Sequence, residues 1–247
     1  MTSYDEMGLG YAEVRRPDPR LAERIWDALG SARTVVNVGA GTGSYEPPDR
    51  EVLAVEPSAV MIAQRPAGAA PAIQATAESL PLGDRSFDAA LAVLSMQHWE
   101  DVERGLSEMV RVARRRIVLV TIDVDVLADM WIVRDYAPEA LAVHASGFPA
   151  IDSLIGTLPR ARADVLPVPR DCSDGFMAAL WATPEAHLHA NVRAASSVWH
   201  QLPDQVVERT VAALRRDLES GRWDECYGRL RETSALDVGL RVVRAEL

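Results

Sequence analysis

The sequence contains no lysine, so its 26 basic residues other than histidine are all arginines. The absence of lysine excludes catalysis through a lysine Schiff base and excludes a P-loop nucleotide site, which needs a lysine. Cysteine is also scarce, because Cys172 and Cys226 are the only two. They are too few for a disulfide framework and lack the spacing of a zinc site. We therefore expect no metal centre and a reducing, cytoplasmic environment.

Long apolar runs and an excess of positive charge are absent as well. No run approaches the ~18 apolar residues of a membrane-spanning helix. The first residues, Met1 to Glu6, are polar and acidic, unlike a secretory signal segment. The formal net charge is -10, which argues against a broad basic face for nucleic acid. We expect neither a membrane nor a nucleic-acid partner.

The most informative segment is an apolar strand that runs into alternating glycines, Thr34 to Gly43. Without Cβ atoms, Gly39, Gly41 and Gly43 can adopt positive φ, and we expect their amides to be approachable by a ligand. A second apolar strand, Glu51 to Val55, ends at Glu56. In a parallel sheet this carboxylate lies beside the glycine turn, where it can accept hydrogen bonds from a ribose diol.

The glycine spacing separates two classes of ligand. A dinucleotide site uses G-x-G-x-x-G followed by a full helix whose N-terminus holds the pyrophosphate. Here G-x-G-x-G is followed by residues 44–49, which leave no room for a long helix and include Glu46 and Asp49. This pattern disfavours a pyrophosphate and therefore a nicotinamide-dependent dehydrogenase.

Strands and helices alternate through the first half of the chain. After the second strand we predict a helix from Pro57 to Gln64, strands at 72–75, 87–94 and 116–122, and a helix from 101 to 113. A helix at 19–30 precedes the first strand. This alternation predicts an α/β fold with a doubly wound, mostly parallel sheet of the Rossmann-like type, which binds ligands at the carboxyl ends of its strands.

Over residues 34–122 the chain resembles the class I S-adenosylmethionine-dependent methyltransferases. The resemblance lies in the glycine turn with the acidic tip at Glu56, in the segment 75–81 followed by Ser86 to Asp88, and in the helix before the fifth strand. It implies that S-adenosylmethionine is the cofactor. It also implies a set of cofactor-binding residues: Gly39, Ala40, Gly41, Gly43, Glu56, Pro57, Met61, Thr76, Ala77, Glu78, Leu94 and Ser95.

Within that set, the glycine turn would contact the methionine moiety, Glu56 would bind the ribose and Met61 would pack on the adenine. Relatives often carry aspartate at the position of Thr76, so a hydroxyl would replace a carboxylate at the adenine edge. His98, in the loop after the fourth strand, matches a position where relatives carry histidine. It could take a proton from the acceptor, and the alternative is a histidine that only caps or packs the loop.

The resemblance also indicates where the acceptor binds. We expect contacts from an N-terminal lid, carrying Tyr4, Tyr11, Arg15 and Arg16, and from Trp131 and Arg134 after the fifth strand. The alternatives are an exposed N-terminus and an ordinary helix surface. Trp181 and Trp199 are more typical of a core than of acceptor contacts.

We expect one domain over 1–247, with the lid and first helix at 1–30, a cofactor-binding core at 31–123 and an acceptor-side half at 124–247. That half has helices near 126–143 and 150–158, a strand at 164–168, a helical insertion at about 175–231 and a closing strand at about 236–244. The protein would be a monomer or a homodimer.

The expected reaction is methyl transfer to an O, N or C nucleophile of a small molecule from specialised metabolism. An anionic acceptor is one hypothesis, based on Arg15, Arg16 and Arg134. C-methylation of an isoprenoid diphosphate or carboxylate is an alternative. Two further alternatives are a binding or regulatory protein on the same fold and an enzyme that uses the cofactor for a rearrangement without methylation.

Overall fold

In the computed structural model, which describes residues 15–247, the chain folds around a seven-stranded sheet. The strand order is β3-β2-β1-β4-β5-β9-β6, and all neighbours are parallel except those that β9 makes with β5 and β6. These strands are β1 (Thr34–Val38), β2 (Glu51–Val55), β3 (Ala72–Ile73), β4 (Phe87–Val93), β5 (Ala113–Ile122), β6 (Arg162–Val165) and β9 (Leu240–Glu246). The predicted α/β fold with a mostly parallel sheet is confirmed.

Helices cover both faces of the sheet and form most of the segment between residues 170 and 234. They are α1 (Pro19–Ala28), α2 (Ala59–Ala63), α3 (Val102–Val112), α4 (Val124–Ala128), α5 (Glu139–Gly147), α6 (Ile151–Thr157), α7 (Ala190–Ala194), α8 (Ser197–Gln201), α9 (Asp204–Glu219) and α10 (Arg222–Tyr227). Short 3₁₀ helices lie at Met96–His98, Met177–Leu180, Pro184–Leu188 and Gly228–Glu232, and a π-helical turn lies at Ile132–Tyr136.

The register of the central strands brings their carboxyl ends to one edge. Thr34 pairs with Glu51 and Val38 pairs with Val55, so the residues after β1 and β2 emerge side by side. β4 pairs with β1 on its other side, and this is where the direction of strand order reverses. A parallel sheet binds ligands at such a switch point, outside the carboxyl ends of its strands.

Helix starts in this half are fixed by side-chain caps. Asp18 caps α1 and Asp101 caps α3, each accepting a hydrogen bond from a backbone N–H in the first turn. The helix predicted to begin at Pro57 begins at Ala59, because the Ser58 hydroxyl caps it by accepting from the N–H of Met61 at 3.3 Å. Residues 44–49 contain no helix, as predicted.

Two strand predictions near the end of the chain were wrong in their bounds. The strand expected at 164–168 is β6, which ends at Val165, followed by the separate β7 (Val168–Pro169). The closing strand begins at Leu240, and residues 235–236 form β8, which pairs with β7 in a second, two-stranded sheet. The break falls at Gly239, which has φ +90° and whose added Cβ would lie 2.6 Å from the carbonyl oxygen of Asp123.

The helical half of the chain, residues 124–247, contributes an aromatic cluster to the hydrophobic core on one face of the sheet. Trp131 is 3% exposed, donates its indole N–H to the carbonyl of Trp181 at 2.8 Å, and packs edge-on against Trp223 and His187. Trp181 and Trp199 are buried, as expected of core residues. The described helices include none that is long and apolar enough to cross a membrane.

His187 gives this cluster a pH-dependent stability. It is 1% exposed, neither ring nitrogen has a hydrogen-bond partner, and burial lowers its pKa to about 3. Because the unfolded chain titrates near ~6.5, His187 contributes stability above that pH and loses it as the pH falls.

We predict that the wild-type free energy of unfolding falls between pH 6 and 5, and that His187→Leu reduces this slope by about 1 kcal/mol per pH unit. Urea titrations at several pH values measure it. The exposed His189 provides the control, because His189→Gln should keep the wild-type slope. An unchanged slope in His187→Leu would contradict the prediction.

Candidate functional site

A cavity of about 440 Å³ opens at the carboxyl ends of the parallel strands. Its walls come from the turns after β1, β2 and β4 on one side and from α5, α8 and the 3₁₀ helix Met177–Leu180 on the other. The volume falls within the range of small-molecule sites, roughly 300 to 1,000 Å³. Among the predicted cofactor residues, those lining the cavity are Gly39, Ala40, Gly41, Glu56, Pro57, Met61, Thr76, Ala77, Glu78, Leu94 and Ser95.

The glycine turn adopts the predicted left-handed backbone, with φ values of 70° at Gly39, 52° at Gly41 and 97° at Gly43. The expectation that its amides are approachable was wrong. The N–H groups of Gly39 and Ala40 both donate to the carbonyl of Val55, at 2.9 and 3.1 Å, and that of Gly43 donates to the carbonyl of Ala40. A turn whose amides are occupied in this way is a poor site for a phosphate, which needs free donors.

Glu56 holds the remaining glycine amide. Its carboxylate accepts hydrogen bonds from the N–H of Gly41 at 2.8 Å and from the N–H of Ser58 at 2.9 Å, one on each oxygen. Burial raises the pKa of Glu56, while these hydrogen bonds and the nearby Arg65 guanidinium oppose that rise. Each carboxylate oxygen keeps a further lone pair for a ligand hydroxyl.

An ion pair beneath the turn was not predicted. The Arg65 guanidinium lies 2.7 Å from the Glu46 carboxylate and donates to the carbonyl of Gly41 at 3.2 Å. Asn37, in β1, also donates to Glu46. An added Cβ at Gly43 would lie 3.2 Å from this pair, so Gly43 packs on it and does not line the cavity. Nothing local in the sequence signals that Arg65, at the end of α2, pairs with Glu46.

The loops after β3 and β4 are tied together by Glu78. Its carboxylate accepts from the N–H of Glu100 at 2.9 Å and of Asp101 at 3.3 Å. On the side near Met61, the lining is formed by the buried Ala77 and the exposed Thr76.

The loop after β4 begins with backbone strain. Leu94 has φ 46°, a conformation that a branched side chain rarely adopts and that is often found at functional sites. Ser95 follows and donates its hydroxyl to the carbonyl of Val38 at 3.0 Å, which joins this loop to the end of β1. Gly39 must be glycine partly for this reason, since its added Cβ would lie 2.5 Å from the Ser95 Cβ.

His98 lies on the same loop, in the 3₁₀ helix Met96–His98. Its side chain is open to the cavity but lies deep among protein atoms, and this desolvation holds its pKa below the usual 6.5. The imidazole is therefore neutral at pH 7 and can accept a proton. His98 is not part of a metal cluster, since residues 15–247 contain no group of three His, Cys, Asp or Glu side chains that could hold an ion.

The opposite wall is largely apolar and was not predicted. Its apolar side chains are Val143, Phe148, Phe176, Met177 and Val198, and the polar side chains of His144, Ser146, Ser196, Ser197 and Gln201 lie among them. In the sequence the apolar residues of this wall are indistinguishable from core positions, because aromatic and aliphatic residues serve both. Only the packing of α5 and α8 against the sheet edge brings them to the cavity.

The structure does not bring most of the predicted acceptor residues to the cavity. Trp131 is buried in the aromatic cluster of the helical half. Arg134 is on the surface, where it pairs with Asp135 at 2.9 Å and donates to Tyr227 at 3.0 Å. Arg16 is exposed, and of the lid arginines Arg15 lines the cavity. The predictions for Tyr4 and Tyr11 fall outside the described residues.

Comparison with known proteins agrees with this geometry. Residues 36–121 match the model of a family described as a methyltransferase domain. A crystal structure from Anabaena variabilis, described as a candidate methyltransferase from an antibiotic biosynthesis pathway, is 32% identical; the match covers 95% of this chain and 99% of that chain, with a TM-score of 0.88. A comparison with curated proteins gives no match.

More distant structures share the fold alone. The plantazolicin methyltransferase BpumL, solved with a desmethyl plantazolicin analogue and SAH, is 10% identical; the match covers 98% of this chain and 90% of that chain, with a TM-score of 0.54. The [4+2]-cyclase SpnF is 17% identical, with coverage of 92% and 79% and a TM-score of 0.52. On the Anabaena match and the family model, this chain belongs to the class I S-adenosylmethionine-dependent methyltransferases.

Proposed function

We propose that this enzyme transfers a methyl group from S-adenosylmethionine to a small-molecule acceptor, with His98 as the proton acceptor. The observation that carries the proposal is the position of Glu56 beside the glycine turn, in the same cavity as His98. The acid and the turn suit an adenosyl cofactor, and the histidine lies on the loop that separates this part of the cavity from the apolar wall.

The residues of the cavity fit this cofactor. An added Cβ at Gly41 would meet only Met61 Cε, at 3.4 Å, so open space lies over the turn. Glu56 offers a free lone pair on each oxygen, which matches the two hydroxyls of a ribose. Met61 and Ala77 offer apolar surface for the adenine ring. The turn amides are occupied, but each turn carbonyl has two lone pairs, and one of these can still accept from the ammonium group of the methionine tail.

When bound, S-adenosylmethionine supplies a methyl group on a positively charged sulfonium. The charged residues around this part of the cavity suit a cation, because Glu56, Glu78 and Glu100 are all acidic. Holding cofactor and acceptor in one orientation supplies most of the rate enhancement of a transfer between two bound molecules. The rigid frame for this is the turn, whose backbone is tied to Val55, Glu56 and Arg65.

The neutral His98 can remove the proton that an acceptor hydroxyl or amine loses as it is methylated. General base catalysis of this kind contributes typically about 10²- to 10⁴-fold to the rate. Because His98 stays neutral below the ordinary histidine pKa, this contribution should persist as the pH falls through 6.5.

We predict that Glu56→Gln weakens binding of S-adenosylhomocysteine by about 10- to 100-fold, because the variant loses charged hydrogen bonds to the ribose worth about 1.5–3 kcal/mol. Isothermal titration calorimetry measures the Kd, and circular dichroism checks the fold. The control is Glu51→Gln, an exposed glutamate at the start of the same strand, which should bind normally. Equal affinity of wild type and Glu56→Gln would refute the proposed role of the acid.

We predict that His98→Ala lowers kcat by about 10²-fold or more and leaves the Kd for S-adenosylhomocysteine unchanged. Activity can be followed without a known acceptor by incubating the enzyme with a metabolite extract and trideuteromethyl-labelled cofactor, then detecting labelled products by mass spectrometry. His200→Gln, on an exposed helix end, is the control. Undiminished labelling in His98→Ala would remove the histidine from the mechanism. No labelled product with wild type would favour a protein that binds the cofactor without methylation.

A further inference from the structure

We infer that the acceptor is an uncharged, flat and largely apolar molecule, and that Asp174 sets this preference by neutralising Arg15. The inference rests on the proposed function and narrows its substrate class. It replaces the hypothesis of an anionic acceptor, since Arg16 and Arg134 do not line the cavity.

The wall opposite the glycine turn is shaped for a flat apolar molecule. Phe148 stacks on His144 with ring centroids 5.8 Å apart and an interplanar angle of 23°, so the two rings are nearly parallel. Phe176 and Met177 line the cavity from a separate element, and Val198 from a third. The polar side chains on this wall, Ser146, Ser196, Ser197 and Gln201, are uncharged, so the wall suits an uncharged ligand that buries hydrophobic surface.

The positive charge of Arg15 is already paired. Its Nε lies 2.5 Å from one oxygen of Asp174 and its Nη2 lies 3.4 Å from the other, a side-on contact with both carboxylate oxygens. The Asp174 side chain is 3% exposed, so the pair is shielded from water on that side. The same carboxylate accepts from the Tyr45 hydroxyl at 2.8 Å, which fixes its position. An anionic acceptor would have to compete with this carboxylate for Arg15.

No other cationic side chain among the described lining residues could take that role. The other charged lining residues, Glu56, Glu78 and Glu100, are acidic, and the lowered pKa values of His98 and His144 leave both imidazoles neutral at pH 7. Residues 1–14 contain no Lys, Arg or His in their sequence.

The acids do not favour a cationic acceptor either, because all three come from the turns after β2, β3 and β4, across the cavity from the apolar wall, and two of them are engaged in hydrogen bonds there. Glu56 is bound to the turn and Glu78 to the backbone of the next loop. The apolar wall itself carries no acidic side chain among the described residues. Neither an anionic nor a cationic acceptor would therefore find an opposite charge where the acceptor would lie, and burying an unpaired charge is costly.

The test compares two probes of the same shape and different charge, 2-naphthol and 2-naphthoate, on enzyme saturated with S-adenosylhomocysteine. We expect isothermal titration calorimetry to give a Kd for 2-naphthol at least about tenfold lower than for 2-naphthoate, the ratio that 1.4 kcal/mol produces. Phe176→Ser should weaken the binding of 2-naphthol. Equal or reversed affinities of the two probes in wild type would overturn the inference.

Asp174→Asn tests the cause of the preference. Asparagine still accepts from Tyr45 but no longer neutralises Arg15, so the ratio of affinities should shift about tenfold or more towards 2-naphthoate. Asp171→Asn is the matched control, because Asp171 pairs with Arg20 on the surface and does not line the cavity. An unchanged ratio in Asp174→Asn would show that the ion pair does not set the preference.

Two further measurements keep the outcome clear. If Asp174→Asn misfolds and no longer binds S-adenosylhomocysteine, Arg15→Gln is measured in its place. Arg15→Gln should keep the preference for 2-naphthol. Weaker binding of 2-naphthoate by Arg15→Gln than by wild type would count against the inference. Failure of wild type to bind S-adenosylhomocysteine would overturn the proposed function itself. Binding of that ligand with no binding of either naphthyl probe would overturn the flat, apolar acceptor alone.

Discussion

The site depends on one buried carboxylate that joins two pieces of backbone. Glu56 accepts from Gly41 in the turn after β1 and from Ser58 at the start of α2, so a single side chain fixes both the glycine turn and the helix that carries Met61. Its removal from water raises its pKa, and the two N–H donors with the nearby Arg65 offset that cost. Because the carboxylate oxygens each keep a lone pair, the group that holds the turn in place can also hold a ribose. In the function proposed above, structural support and ligand binding would share the same atoms.

The parallel core could be predicted from the sequence because its sequence signals are local. A β-branched run such as Thr34 to Val38, three alternating glycines and an acid at the next strand tip each report on a few neighbouring residues, and parallel pairing then brings them together. The sequence alone did not predict that the carbonyl of Val55 accepts hydrogen bonds from the turn amides. This contact depends on how the carbonyl of Val55, the last paired residue of β2, lies against the turn, which is a matter of register at atomic scale. The Arg65–Glu46 pair was missed for a related reason: charged residues are common on surfaces, and burial of this pair follows from tertiary packing.

The acceptor wall shows where pattern reasoning fails. Trp131 and Phe176 are both large aromatic residues in the helical half, yet one is in the core and the other lines the cavity. Trp131 finds a buried acceptor for its indole N–H in the carbonyl of Trp181, which is what a core tryptophan requires. That partner lies 50 residues away in sequence. The closing strand illustrates the same limit, because its start is set by the close approach of Gly239 to Asp123 and not by its apolar pattern.

The two sides of the cavity carry different kinds of side chain. Acidic residues surround the part that would hold a cationic sulfonium, and apolar residues surround the part that would hold the acceptor. His98 lies on the loop between them, and its lowered pKa makes it a weak base. A weak base removes protons most readily from groups that are already acidic. A hydroxyl on an aromatic ring meets this condition better than an aliphatic alcohol, because its conjugate base is stabilised by the ring. The proposed base and the proposed acceptor wall therefore favour the same kind of acceptor, an uncharged aromatic molecule with a ring hydroxyl.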